Sequence, residues 1–274
     1  MQNVGNDLTK PTANNVSTAK SKVVRRTRFT KDTVIKYADP EAVASEVRKT
    51  KAAWEISQKA KIFRVARVLS SEPGADCFEQ ERLYGYDQLH FRAAFGSGDD
   101  PIWGRIGRTL GTIHRESGLV NDQSISLPAK WQLEQGPRVH LHGDFNLTNV
   151  RYNVAEDTVL IIDWAVTDMI GGEGDVGPIY FDLGWFLKSL FLLSRRLPIR
   201  RRLEEKADRF LAGYVCESGY SLNDGHLATF AIACGNLVVD GQAGGLFKRA
   251  LDRIFLRRLL RYTNNGFKYR NYIS

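Results

Sequence analysis

Apolar and polar residues alternate in short runs over the first third of the chain. Alternation of this kind, bounded by polar turns, is typical of strands with one buried face. It predicts four strands, at "VVRRTRF" (23–29), "TVIKY" (33–37), "IFRVARVL" (62–69) and "CFEQERL" (77–83).

One amphipathic helix is predicted between the second and third of these strands. Asp39 and Pro40 are residue types that commonly begin a helix. The residues that then recur at helical spacing are Val43, Val47, Thr50 and Trp54. Residues 22–84 are therefore expected to form a small β-rich lobe with one helix, after a polar tail at 1–21.

After residue 84 the helical period dominates. "DDPIWGRIGRTLGTIHRESG" (99–118) predicts a helix that contains Gly104, Gly107 and Gly111. Each glycine costs a helix about 1 kcal/mol relative to alanine, so we expect another backbone to pack close to them. Short strands are predicted in 138–153 and 157–166, and mostly helices in 181–262. The predicted fold class is α+β: a small lobe, a linker near 83–87, and a larger helical lobe over 85–274.

Composition and charge narrow the class of protein. The 274 residues are 43% hydrophobic and 26% charged, with a net charge of +8, which is typical of a globular protein. The basic runs 195–206 and 256–262 fit a solvated helix face or attraction to an anionic partner. No ribonucleoprotein pattern is present, so no nucleic-acid partner is expected.

The location of the protein is predicted from its cysteines and from its apolar runs. Three well-separated cysteines indicate reduced thiols in a reducing compartment. The sequence shows neither a signal peptide nor a membrane-spanning run. A cytoplasmic location is expected, with weak contact to the inner face of the membrane as an alternative.

The candidate chemistry lies in "HGDFNLTN" (142–149). Asp144 and Asn149 fit the spacing H-x-D-x-x-x-x-N, and Asp163 follows at the end of an apolar strand. Phosphoryl transfer requires Mg²⁺ on the phosphates, and Mg²⁺ prefers oxygen ligands. Asn149 and Asp163 would supply such ligands, and Asp144 would accept or orient the proton of the attacking hydroxyl.

These motifs resemble the aminoglycoside phosphotransferase and choline kinase branch of the protein-kinase-like superfamily. The resemblance covers "HGD", "IDW", "YFDLGWFL" (180–187) and "ADRFLAGY" (207–214). It implies a two-lobed kinase-like fold with ATP between the lobes and a small-molecule hydroxyl as the acceptor.

The resemblance also implies roles for individual residues. Asp144 would be the catalytic carboxylate, Asn149 and Asp163 would hold Mg²⁺, and Asp182 would support the catalytic loop. Glu81 would lie at the interlobe hinge, where the backbone contacts the adenine. His142 is expected to pack and bind backbone around the catalytic loop, or else to be an acid–base group.

The small lobe offers an independent test. A kinase-like site needs a strand lysine for the ATP phosphates, held by a glutamate on the next helix. Lys36 is the strand lysine, and Glu46 falls about 60° from Val43 on a helical wheel, at the edge of the buried stripe. We therefore predict a contact between Lys36 and Glu46. The expected glycine-rich loop is missing ahead of Lys36, and "NVSTAKSK" (15–22) is an alternative cover for the phosphates.

The predicted function is an ATP- and Mg²⁺-dependent phosphotransferase acting on a hydroxyl of a sugar, amino sugar or amino alcohol. The alternatives are a lipopolysaccharide or capsule sugar kinase at the membrane surface, and an inactive kinase-like binding protein. Residues 183–262 lack the carboxylate cluster expected for a polycationic aminoglycoside, so a neutral or anionic acceptor is predicted. Glu173 and Asp175 would meet a cationic substrate or belong to a solvated loop.

Overall fold

The computed structural model describes residues 26–117, 126–131, 136–165, 174–192, 202–240 and 246–273. The predicted tail (1–21), "NVSTAKSK" (15–22), Glu173 and most of the basic run 195–206 lie outside these residues. Within the described ranges, the strands are β1 (Arg26–Phe29), β2 (Thr33–Tyr37), β3 (Phe63–Val65), β4 (Val68–Ser71), β5 (Cys77–Glu81), β6 (Asp87–Gln88), β7 (Arg138–His140), β8 (Val150–Asn153), β9 (Thr158–Ile161) and β10 (Val176–Pro178). The helices are α1 (Pro40–Ala60), α2 (His90–Phe95), α3 (Ile102–Glu116), α4 (Tyr180–Leu192), α5 (Leu203–Ser218), α6 (Asp224–Asp240) and α7 (Leu246–Asn264).

The small lobe is an antiparallel sheet with one helix packed on it. Its strand order is β1-β2-β5-β4. Val43 and Val47 of the helix join Ala38 and, from β5, Phe78 in a small apolar cluster. The helix and the strands predicted at 23–29, 33–37 and 77–83 are present within the described residues, and Lys36 lies on the inner strand β2, opposite Phe78.

The single strand predicted at 62–69 is wrong. β3 pairs in parallel with β9, whereas β4 pairs with β5 in the other sheet. Val65 and Ala66 are both buried, at 3% and 4% exposure. Two consecutive buried residues do not fit the alternation of one half-buried strand, and the chain instead crosses between two sheets at this point.

A second sheet frames the loop that carries the candidate chemistry. Its strand order is β3-β9-β8-β6, and β7 pairs separately with β10. The antiparallel pair β8–β9 places Val150 opposite Ile161, so the residues just before β8 and just after β9 lie close together. The strands predicted in 138–153 and 157–166 are present, although they are shorter than those ranges.

The close backbone contact expected at the α3 glycines is confirmed, and the partner is α5. A Cβ built on Gly107 would lie 1.9 Å from the carbonyl oxygen of Phe210, and one built on Gly111 would lie 2.9 Å from that of Tyr214. On the α5 side, a Cβ built on Gly213 would lie 2.1 Å from the Gly104 carbonyl oxygen. The glycines therefore let two helices of the large lobe touch through their backbones.

The predicted linker near 83–87 overlaps the segment between β5 and β6. Residues 82–86 form neither helix nor strand, and Gly85 has a positive φ of 79°. The lobe boundary at 84/85 stays a prediction. Among the described helices, none combines the length and the apolar character needed to cross a bilayer.

Candidate active site

Helix α4 holds the loop that contains Asp144. Its fully buried residue Asp182 accepts hydrogen bonds from two consecutive backbone amides, His142 N at 2.7 Å and Gly143 N at 2.9 Å. Gly143 has φ = 87°, a conformation that glycine adopts at little cost. Asp182 thus fixes the chain just before Asp144, which is the position predicted for a supporting residue.

Asp182 is itself bound by a side chain of α3, which in turn contacts α5. Its Oδ2 lies 3.2 Å from His114 Nε2 of α3, and His114 Nδ1 lies 3.0 Å from the Tyr214 hydroxyl of α5. Burial would raise the pKa of Asp182, but the hydrogen bond and charge of His114 outweigh burial and lower it. An ionised Asp182 is a stronger acceptor for the loop amides.

The carboxylate of Asp144 is surrounded by N–H donors. Oδ1 accepts from Trp185 Nε1 at 2.5 Å and from Asn146 Nδ2 at 2.8 Å, and Oδ2 accepts from Asn149 Nδ2 at 2.8 Å. Burial raises the pKa of Asp144 to about 6, and the nearby Lys188 and Trp185 oppose that rise. Asp144 is therefore an ionised hydrogen-bond acceptor at neutral pH.

The ring of His142 binds backbone on both sides and is buried. Nδ1 accepts from Asp144 N at 3.1 Å, and Nε2 lies 3.1 Å from the Ile162 carbonyl oxygen. The accepting Nδ1 assigns the proton to Nε2. Burial lowers the pKa of His142 to about 4, so the ring is neutral. These contacts favour the packing role over the acid–base role.

The two predicted metal ligands, Asn149 and Asp163, lie on segments that are joined by a backbone hydrogen bond. Because Asn149 Nδ2 donates to Asp144 Oδ2 and to the Asp144 carbonyl oxygen, at 2.8 and 3.0 Å, its amide oxygen is directed elsewhere. Asn149 is also joined to the strand end that carries Asp163, through a 2.9 Å bond from Ile162 N to Asn149 O. Asp163 has φ = 62°, a conformation that is strained for aspartate and common at functional sites.

The donor set fits a hard divalent cation. An amide oxygen and a carboxylate are ligands that Mg²⁺ accepts, and its remaining ligands are usually water and substrate phosphates. In the part of the chain that the structure describes, no three His, Cys, Asp or Glu side chains form a metal cluster. A cation held by Asn149 and Asp163 would take its remaining ligands from water or phosphate oxygens.

The predicted contact between Lys36 and Glu46 is present, and it includes Asp163. Lys36 Nζ donates to Glu46 Oε1 and lies 3.1 Å from Asp163 Oδ1. Burial lowers the pKa of Lys36, but the two carboxylates outweigh burial and raise it. The ammonium therefore joins β2, α1 and Asp163, two residues after the end of β9, and these parts belong to the two predicted lobes.

A cleft of about 400 Å³ opens beside Lys36 and Asp163. Its walls come from β1, β2, residues 80–86 and the end of β9. Glu81 lines the cleft, but its Oε1 accepts from Arg67 N at 2.9 Å, which directs the side chain to β4. The cleft lies between the two predicted lobes, where the prediction placed ATP, and the Glu81 N–H is itself bonded to the Arg67 carbonyl oxygen at 2.9 Å.

The comparison with known families agrees with the motifs. A model of the phosphotransferase enzyme family, APH, matches residues 122–214, a segment that contains Asp144, Asn149, Asp163 and Asp182. The predicted resemblance is confirmed. The match supports a small-molecule phosphotransferase, and no curated protein matches the chain in sequence at a significant level.

Solved structures with the same fold confirm the predicted fold class. A choline/ethanolamine kinase family protein from Mesorhizobium loti has 12% identity and a TM-score of 0.53, covering 87% of this chain and 84% of its own. Glucosamine kinase in complex with glucosamine, ADP and inorganic phosphate has 12% identity and a TM-score of 0.56, covering 88% and 77%. The GDP and kanamycin complex of APH(2'')-IIia has 12% identity and a TM-score of 0.50, covering 89% and 93%.

Sequence reasoning missed further contacts between α4 and the loop at 142–149. Besides the Trp185 bond to Asp144, Ser189 Oγ accepts from Leu147 N at 3.2 Å. Trp185 and Ser189 come three and seven residues after Asp182, a spacing that places all three on one helix face. That spacing was available in the sequence as a signal.

A further missed contact joins α1 to the same loop. Lys49 Nζ donates to the His142 carbonyl oxygen at 2.8 Å, and burial lowers the pKa of Lys49 to about 8. Lys49 follows Glu46 by three residues, so one face of α1 contacts both Lys36 and the loop.

The interpretation of Asp175 as part of a solvated loop is wrong. The residue is 2% exposed, pairs with Arg48, and accepts from Ser45 Oγ at 3.2 Å. Because α1 already neutralises its charge, Asp175 has no free carboxylate for a cationic substrate.

Proposed function

We propose that this protein transfers the γ-phosphate of ATP to a hydroxyl group of a small molecule, with Mg²⁺ as cofactor. The observation that carries the proposal is the position of the Lys36 ammonium, which contacts Glu46 and lies 3.1 Å from Asp163 at the mouth of the cleft. A cation between these carboxylates is suited to orient nucleotide phosphates beside a metal ligand.

In this proposal each group has one task. Lys36 binds the phosphates and is held by Glu46. The Asn149 amide oxygen and the Asp163 carboxylate would hold Mg²⁺, which when bound neutralises charge on the transferred group. Asp144 accepts the hydrogen bond of the acceptor hydroxyl and orients it for attack.

A neutral or anionic acceptor is part of the proposal. An acceptor with several ammonium groups would need open carboxylates in the helical lobe. Several acids of the described parts of α5 and α6 are instead bound to neighbours: Glu204 to Arg258, Asp208 to Tyr262 and the Lys268 amide, and Asp224 to Arg270. Buried Lys188 adds positive charge next to Asp144.

The test is ADP release in the presence of ATP, Mg²⁺ and matched acceptors: neutral sugars, sugar acids, amino sugars and amino alcohols. We expect turnover above the acceptor-free rate with a neutral or acidic member. Asp163→Ala should abolish it, and Asp99→Ala, on an exposed turn, should not change it.

Nucleotide binding separates the enzyme from a binding protein. A ligand that binds only the folded state raises the melting temperature, so ATP with Mg²⁺ should stabilise the wild type more than Asp163→Ala. No shift at millimolar nucleotide, together with no ADP release for any acceptor, would refute the proposed activity.

A further inference from the structure

The three donors around Asp144 are divided unequally between its two oxygens. Oδ1 accepts from Trp185 Nε1 at 2.5 Å and from Asn146 Nδ2 at 2.8 Å, whereas Oδ2 accepts only from Asn149 Nδ2 at 2.8 Å among side chains of the described residues. Each carboxylate oxygen has about two accepting positions. The donors therefore fill Oδ1 and leave one position on Oδ2.

Trp185 is held so that its N–H direction is fixed. Its side chain is 1% exposed, and its ring stacks on Phe181 with centroids 5.8 Å apart and an interplanar angle of 9°. Both residues belong to α4, which also holds the loop amides through Asp182. A rigid donor on the helix that positions the loop fixes the rotation of the Asp144 carboxylate.

Lys188 lies over the face of the same indole. Its Nζ is 3.4 Å from the centroid of the Trp185 ring, and the side chain is 4% exposed. A cation over an aromatic face attracts the π electrons, and this polarisation makes the N–H at the ring edge a stronger donor. Lys188 is one helical turn beyond Trp185, so α4 fixes their relative position.

We propose that Lys188 and Trp185 form a positioning relay for Asp144. The ammonium polarises the indole, the indole N–H holds Oδ1, and Oδ2 is left as the atom that receives the hydroxyl of the acceptor. The inference rests on the proposed function, and it adds two positioning residues that act through Asp144.

Trp131 provides a matched control for the loss of an indole. It is 3% exposed and also packs on Phe181, edge to face with centroids 5.3 Å apart. Its Nε1 has no hydrogen-bond partner within the described part of the chain. Trp131→Phe therefore changes packing around Phe181 to a similar degree without removing a bond to Asp144.

The kinetic test uses Trp185→Phe, Lys188→Met and the double variant. A hydrogen bond to a charged group is strong enough that its loss should lower kcat roughly tenfold to a hundredfold. We expect that fall for Trp185→Phe, with the KM for ATP unchanged, and a smaller fall for Lys188→Met. Lys188→Arg, which keeps the charge, should retain more activity than Lys188→Met.

The double variant decides whether the two residues act in series. The charge of Lys188 also acts directly on Asp144. If Lys188 acts through the indole as well, Lys188→Met should slow the Trp185→Phe enzyme by a smaller factor than it slows the wild type. Multiplied losses would overturn the relay, and so would an equal fall in kcat for Trp131→Phe.

A spectroscopic test is independent of turnover. The chain has five tryptophans, so an ¹H–¹⁵N spectrum of the nucleotide-free protein should contain five indole signals, and Trp185→Phe identifies one. We expect that signal at the lowest field, with upfield shifts in Asp144→Asn and Lys188→Met. An unshifted indole signal in these variants would refute the relay, whether or not any acceptor is phosphorylated. Failure to phosphorylate any acceptor would count only against the proposed function.

Discussion

The backbone contact between α3 and α5 makes opposite predictions for two neighbouring glycines. Both Gly104 and Gly107 lie inside α3, where alanine should gain about 1 kcal/mol of helix propensity. A Cβ on Gly104 would meet its nearest atoms at 3.7 and 3.8 Å, which is ordinary contact. A Cβ on Gly107 would lie 1.9 Å from the Phe210 carbonyl oxygen and 2.8 Å from Tyr214 N.

The propensity gain cancels when the two variants are compared, so their difference measures the overpacking alone. The atoms near Gly107 are backbone and cannot rotate away. Overpacking of a dense interior costs about 1–3 kcal/mol. We therefore expect Gly107→Ala to have a free energy of unfolding about 1–3 kcal/mol below that of Gly104→Ala, which should match or exceed the wild type.

Urea unfolding followed by tryptophan fluorescence measures this difference. At the stated magnitude, and at about 2–4 °C per kcal/mol for large domains, the melting temperatures should also differ by several degrees. Equal unfolding midpoints for the two alanine variants would refute the reasoning, because they would show that α3 and α5 do not cross at Gly107.

Three further predictions concern two groups at the loop, His142 and Asp182, and the cysteines of the large lobe. The His142 pKa falls from 6.5 to about 4 on folding, so the unfolded state binds more protons than the folded state between these pH values. The contribution of His142 to the free energy of unfolding should be fully present above pH 6.5 and should fall by about 3 kcal/mol towards pH 4. His142→Asn should flatten this profile in urea titrations. Asp182→Asn replaces one acceptor oxygen of the two loop amides by a donor, and denaturation should show a loss of about 1–3 kcal/mol. Exposed Cys216 should react with a thiol reagent in the folded protein, whereas Cys234, buried and with its pKa raised to about 12, should react only after unfolding; Cys216→Ser should remove the fast reaction.

The parts of the fold that follow a regular period could be predicted from the sequence. α1 buries Val43, Val47 and Thr50 as its period indicated, although Trp54 is only partly buried. The α3 glycines predicted a close backbone partner. The crossing between sheets at Ala66 could not be predicted, because a run of apolar residues does not show which sheet each half joins. Parallel pairing of β3 with β9 depends on residues almost a hundred positions apart, and such long-range pairing leaves no local signal.

In the candidate site too, residues at a recognisable sequence spacing could be predicted, whereas contacts between residues distant in sequence could not. Asp144, Asn149 and Asp163 could be selected because phosphoryl transfer needs their chemistry at that spacing, and the Lys36–Glu46 contact followed from one helical period. Trp185 and Lys188 carried no such chemical signal, since tryptophan and lysine in an apolar helix suggest packing. Trp185 contacts Asp144, with Lys188 over its ring, because α4 crosses the loop at Asp182. Here the loop runs along α4, so that Asp182, Trp185 and Ser189 on successive turns each bind it, and the same helix therefore supports the loop and orients the carboxylate.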